Sequence, residues 1–360
     1  MRALTSPRVN LNKASAKSIT KVIVAAERDH AKSHGLFRLP GYCSGILHHK
    51  VNPRVEPLVK DVSISAIVTD AQGGYSPLAF ERSLPLLVQK SKLNGVAVLA
   101  IRNSFHFAAL WYECEQLAIQ HQLASIVVVN SKSYVAHPGG IGRRLYGTNP
   151  MAFGYPRRNG LYPMIIDQAS SKMARGEIQM LNESSSSSSS SINNLPNDVG
   201  VNINGKPTNN AKEVLAGAQL PFGGIKGANV ALMVELLASG MTGSPFGYQT
   251  HEEDPHWYGP TKQGEFIIAM DPNVFQENSK DKNHLDHVED LFQRLMEDGG
   301  RIPGSRRHEC RKKNGKKDDC IVDVSINLYN EINGIINGMD NITQGYISTE
   351  PLKKRGRKRV

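Results

Sequence analysis

The chain has 360 residues, a formal net charge of +10, 39% hydrophobic residues and four cysteines. That length accommodates a large core with two or three subdomains, and no run of about 18 apolar residues offers a membrane span. Met1 to Pro7 lacks the apolar core of a signal peptide, and Cys43, Cys114, Cys310 and Cys320 form no C-x-x-C, so a cytoplasmic protein with reduced thiols and no metal site is expected. The basic excess, concentrated in 306–317 and 353–359, suits nucleic acid, or equally small anionic substrates and phosphorylated cofactors.

Residues 11–32 read as a helix, with Val22, Ile23, Ala25 and Ala26 as an apolar stripe. Ser33-His34-Gly35-Leu36-Phe37-Arg38-Leu39-Pro40 follows. Gly35 permits a turn, Ser33 sets a hydroxyl beside an imidazole, and Arg38 offers a bidentate partner for a carboxylate. On the residues alone, a polar helix end with Arg38 in solvent is the simpler reading. Residues 61–70 alternate as a strand, 71–77 form a turn and 80–91 a helix.

Val96–Ile101 is an apolar run of strand length that breaks at Arg102-Asn103-Ser104, with a helical pattern from His106 to His121. Asn103 and Ser104 are competent N-caps. A helix start emerging from a buried strand is a natural anion site, with His106 in its first turn; a capping His without a ligand fits the same residues. Residues 125–129 form a second apolar strand, followed by Gly139-Gly140-Ile141-Gly142 and Gly147-Thr148-Asn149-Pro150. None of these glycines forms a Gly-x-Gly-x-x-Gly fingerprint opening a helix, so a doubly wound nucleotide domain is not supported.

A strand over 161–166 ends in Asp167-Gln168-Ala169-Ser170-Ser171, and Lys172-Met173-Ala174-Arg175-Gly176-Glu177 follows. The serine run Ser184–Ser191 marks a disordered surface insertion over 183–194. Pro221-Phe222-Gly223-Gly224-Ile225-Lys226-Gly227 leads into a helix over 228–241, a plausible phosphate cradle. A strand over 264–270 and a helix over 287–296 precede Arg301-Ile302-Pro303-Gly304-Ser305-Arg306-Arg307. The organisation is a helical N-terminal segment (8–60), a larger region (61–336) and a basic disordered tail (337–360).

The order of these segments resembles the malate/L-lactate dehydrogenase-type oxidoreductases across roughly Lys21 to Ile332. His106-Phe107-Ala108-Ala109-Leu110 is similar to the branch that reduces Δ1-piperideine-2-carboxylate and Δ1-pyrroline-2-carboxylate. The resemblance implies a mixed α/β (α+β) fold with a non-Rossmann, mostly antiparallel cofactor domain beside the helical N-terminal region, and a homodimer. It implies Ser33, His34 and Glu177 as catalytic relay, and Arg38, Thr148, Arg175 and Gly176 as substrate contacts. Cofactor contacts carry over to His106, Phe107, Ala108, Ala109 and Leu110, to Asp167, Gln168 and Ala169, to Lys226 and Gly227, and to Arg301, Ile302, Pro303, Gly304, Ser305, Arg306 and Arg307. The malate-type branch usually carries Lys where Glu177 stands, which favours an imine substrate. Three arginines in the closing segment suit a 2′-phosphate, hence NADP(H). The expected activity is therefore NADPH-dependent reduction of cyclic imino acids. Its rivals are an NAD-dependent 2-hydroxy-acid dehydrogenase and a non-catalytic basic scaffold working through its tail.

Overall fold

Alternating apolar residues build the larger sheet, because side chains along a strand point to opposite faces in turn. The computed structural model describes residues 1–105, 108–158, 160–185, 195–253, 260–275, 284–313 and 324–338. Seven strands, β1 (Leu58–Ser63), β2 (Ala66–Asp70), β3 (Val96–Phe105), β4 (Ala124–Val129), β7 (Met151–Tyr155), β8 (Met164–Gln168) and β12 (Lys262–Met270), stand in the order β1-β2-β3-β12-β4-β7-β8. Within this sheet, among the described residues, only β2 and β3 pair in parallel. The mostly antiparallel character implied by the resemblance is thus present. The segment read as one strand over 61–70 is instead the β1–β2 hairpin, which turns at Ile64-Ser65.

Helices α3 (Ser76–Asn94) and α4 (Trp111–His121) cover one face of this sheet, where Leu99, Ile101, Val127, Ile165 and Ile267 meet Phe80, Leu87, Trp111 and Leu117. The opposite face carries Ala100, Val128 and Phe266, packed on Val234 and Ala238. These two belong to α7 (Ile225–Glu235) and the single π-helical turn that continues it, Leu236–Gly240. A smaller sheet of β5 (Val135–Ala136), β6 (Arg144–Tyr146), β9 (Gly200–Val201), β10 (Pro207–Thr208) and β11 (Ala218–Gln219) runs β10-β9-β11-β5-β6.

The N-terminal helix α1 spans Lys13–Arg28, capped by Asn12, and ends before the expected residue 32. Two 3₁₀ turns, Lys32–His34 and Leu36–Arg38, lead into α2 (Leu39–Leu47). α1 and α2 share a core with α11 (Ile326–Asn337), whose Ile335 is buried against them. The remaining helices are α5 (Arg175–Ser185), α6 (Ala211–Ala216), α8 (Gly247–Glu253), α9 (His284–Glu297) and α10 (Ser305–Lys313). The serine insertion beyond Ser185, and the basic tail from residue 339, lie outside the described residues.

The helix expected from His106 begins at Trp111, because β3 runs on to Phe105. Asn103 and Ser104 are strand residues rather than caps: Ser104 Oγ donates to the Gln263 carbonyl at 3.1 Å, and Asn103 Nδ2 donates to Asp70. β12 supplies the ladder partners that make extension to Phe105 favourable, with Gln263 opposite Ser104 and Lys262 opposite Phe105.

Candidate active site

The two 3₁₀ turns after α1 bring the first three candidate side chains together. Ser33 Oγ lies 3.1 Å from His34 Nδ1. With the hydroxyl as donor, the ring proton sits on Nε2. Arg38 is buried, and its Nε donates to the Ser33 carbonyl at 2.7 Å. Gly176, in the first turn of α5, approaches this group closely: a Cβ there would stand 2.9 Å from Arg38 Nη2 and 3.3 Å from Ser33 Cβ. Residues about 140 positions apart in the chain therefore form one cluster of hydroxyl, imidazole and guanidinium.

Arg175 opens α5. Its guanidinium lies 3.9 Å from the centroid of the Tyr134 ring and reaches the Leu215 carbonyl through Nη2 at 3.3 Å. Nε and Nη1 are buried with no hydrogen-bond partner. Burial, with Arg144 nearby, lowers its pKa to about 10, which still leaves it charged at neutral pH. Two buried N–H groups without an acceptor fit an anionic ligand. Glu177 is exposed, and among the described residues no hydrogen bond or ion pair joins its carboxylate to His34.

Thr148 is held by Ser131, whose Oγ accepts from Thr148 N–H at 3.0 Å and lies 3.2 Å from Thr148 Oγ1. The turn behind it is organised by Glu235, buried inside α7. Glu235 Oε1 accepts from Asn149 Nδ2 at 2.9 Å and from Gly147 N–H at 3.3 Å, while Oε2 accepts from Gly247 N–H. Burial pushes its carboxyl up, against these hydrogen bonds. Ser131, Tyr134 and Glu235 were missed in the sequence. Only Glu235 leaves a signal there, as a single charge within the apolar run from Ala228 to Ala238.

Asp167 does what Asn103 and Ser104 were expected to do. Its Oδ2 accepts from Trp111 N–H at 2.9 Å, at the start of α4. Gln168 is exposed and Ala169 half-buried, and Ser170 and Ser171 run beside the approach to α7. Phe222 N–H donates to the Ser170 carbonyl at 3.0 Å. α7 then starts at Gly224 with φ 61° and no side-chain cap, and the space around Gly223 and Gly224 is open. Lys226 is exposed one residue into the helix, and Gly227 is buried against the Phe222 backbone.

Ala108, Ala109 and Leu110 are buried, the latter two in the main core, whereas His106 and Phe107 lie outside the described residues. Of the closing segment, Ile302 packs on Met164 and Phe292, and Pro303 accepts from Ile165 N–H. Arg301 and Arg306 are exposed beside half-buried Gly304 and Ser305. Arg307 turns inward, donating to the Ile165 carbonyl at 3.2 Å beneath the Trp111 ring. A nicotinamide dinucleotide fits this donor set. The uncapped α7 start and exposed Lys226 suit a phosphate, and the orphaned Arg175 N–H groups suit a carboxylate.

Residues 5–333 match the family described as malate/L-lactate dehydrogenase. The chain is 36% identical over 305 residues to a Δ1-pyrroline-2-carboxylate/Δ1-piperideine-2-carboxylate reductase of Pseudomonas aeruginosa, covering 85% of this chain and 88% of that one. It is also 36% identical over 303 residues to a (2R)-3-sulfolactate dehydrogenase (NADP(+)) of Chromohalobacter salexigens, covering 84% and 86%. The crystal structure of Δ1-piperideine-2-carboxylate reductase from Pseudomonas syringae superposes with a TM-score of 0.80 at 33% identity, over 90% of this chain and 93% of that one.

Proposed function

Because the chain belongs to the malate/L-lactate dehydrogenase family, we propose that it reduces cyclic imino acids with NADPH, turning Δ1-piperideine-2-carboxylate into L-pipecolate and Δ1-pyrroline-2-carboxylate into L-proline. It is an oxidoreductase using a nicotinamide cofactor. The observation that carries the reading is the Ser33–His34 pair set against Arg38 and Gly176. Relatives named as imino-acid reductases support the substrate class, and the NADP(+) in the sulfolactate dehydrogenase's name agrees with a phosphorylated cofactor.

A cyclic α-imino acid becomes an acceptor when its ring nitrogen is protonated. His34 holds that proton, with Ser33 fixing Nδ1 so that Nε2 delivers it. Arg38 and Arg175 bind the carboxylate, Thr148 closes the far side, and Glu177 recharges His34 after a movement of its exposed side chain. Lys226, Gly227, Asp167 to Ala169, the loop 106–110 and Arg301 to Arg307 hold the cofactor on an antiparallel rather than a doubly wound frame. When bound, the cofactor supplies the hydride for the imine carbon. No helix of the described residues is long and apolar enough to cross a membrane, and we place the enzyme in the cytoplasm as a homodimer. Ile225, Leu232, Met233 and Leu236 form an exposed apolar stripe along α7 and its π turn that suits a partner subunit.

The test is cofactor oxidation with Δ1-piperideine-2-carboxylate and NADPH, against NADH and against pyruvate, oxaloacetate and sulfopyruvate. Imine turnover with NADPH is expected. Turnover of the 2-oxo acids alone would move the chain to the hydroxy-acid dehydrogenases. His34→Ala should cost roughly 10²–10⁴ in turnover; near-normal turnover rules out its role. Arg38→Ala should damage imino-acid saturation far more than NADPH binding.

A further inference from the structure

Glu27, near the end of α1, is buried and plays no part in the chemistry above. Its Oε1 accepts from Leu36 N–H at 2.6 Å. Leu36 opens the 3₁₀ turn that bears Arg38, and Gly35 closes the one that bears His34. Gly35 has φ −90° and ψ −138°, so a left-handed turn does not explain the glycine. Space does: a Cβ there would stand 2.6 Å from Glu27 Cδ and 3.0 Å from Cγ, and closer still to Oε1. Two residues on, Asp29 is fully buried and held by Arg311 at 2.5 Å, so the end of α1 is a fixed platform.

We propose that Glu27 is a positioning residue whose buried carboxylate pins the joint between the His34 turn and the Arg38 turn, and that Gly35 is small in order to admit it. The pin sets the separation of proton donor from carboxylate clamp. Arg38 Nε closes the same loop onto the Ser33 carbonyl, so releasing Leu36 lets both groups drift. A hydrogen bond from backbone N–H to a carboxylate is among the stronger kinds, and misplacing reacting groups by about 1 Å can cost roughly 10²-fold in rate. The inference rests on the roles given to His34 and Arg38 in the proposed reaction.

The test compares Glu27→Ala, Glu27→Gln, Gly35→Ala and the Glu27→Ala/Gly35→Ala double variant in steady-state kinetics, with NADPH binding by fluorescence and thermal melting alongside. Glu27→Ala should raise KM for the imino acid and lower kcat, so that kcat/KM falls roughly 10–10²-fold. NADPH affinity should stay within about twofold. Glu27→Gln keeps an acceptor for Leu36 and should recover most of the loss. Gly35→Ala should be clearly more harmful in the native background than once Glu27 is truncated, because the colliding atoms are then gone. Equal harm from Gly35→Ala in both backgrounds overturns the proposal, as does Glu27→Ala moving only the melting temperature or weakening imine and NADPH alike. Should Glu27→Ala not fold, Glu27→Ser serves as the truncated background. Wild-type turnover reports on the reaction itself: if a 2-oxo acid proves to be the substrate, the same variants are compared on it, and the coupling of Glu27 to Gly35 is still read.

Discussion

Burial of Glu113 in the first turn of α4 pushes its carboxyl up to about 8, chiefly through loss of water, with the Asp167 charge adding to the effect. An unfolded Glu titrates near about 4.3. The folded state therefore holds an extra proton between those values, and the stability this brings is present at low pH and lost as pH rises through about 8. Glu113→Gln should flatten the fall in melting temperature between about pH 5 and pH 9; a pH profile identical to wild type would refute the assignment. At this scale the Ser33-His34…Arg38 motif stood out through the family resemblance, and the fold brings it beside Gly176, which no local spacing foretold. Glu177 shows the limit. Its place in the chain was readable, but the direction of its side chain depends on the helix phase of α5, and it points to solvent. Glu27 was invisible for a related reason: one acid among the polar residues of α1 looks like any other until the turn folds back on it.

Elements were legible where their periodicity was strong, and misread where tertiary pairing decided the outcome. β4 and α9 fall close to their expected spans. β3 does not stop at Asn103-Ser104, since pairing with β12 outweighs the capping propensity of those residues, and Asp167 arrives from β8 to cap Trp111. Local sequence contains neither partner. The joint between α10, α1 and α4 is of the same kind. Arg311 Nη1 meets Glu115 Oε1 at 2.5 Å and Nη2 meets Asp29 Oδ2 at 2.5 Å, with all three side chains largely buried. Arg311→Met would strip Glu115 of this partner and leave Asp29 to Arg28, 3.0 Å away. It should cost roughly 3–5 kcal/mol in urea unfolding, and a loss below about 1 kcal/mol would mean that water already screens the triad.

For the whole molecule, the family resemblance implied a mostly antiparallel frame, and the larger sheet has one. The strand order was not readable, because no local signal says that β12 returns to lie between β3 and β4. The apolar stripe of α7 was legible only as helix. Its exposure emerges once the opposite side of α7 is committed to the sheet through Val234 and Ala238. If that stripe meets a second subunit, Leu236→Glu should shift the mass in light scattering toward the monomer, and an unchanged dimer would place the interface elsewhere.

The central position of β12 bears on how the chain is made. β3 and β4 are translated well over a hundred residues before Lys262–Met270, and neither pairs with the other. A nascent chain shorter than about residue 262 therefore exposes two unpaired apolar strand edges, which are sticky. Closing the sheet is a late, long-range event of high contact order. Closure of the larger sheet thus waits until Met270 has left the ribosome.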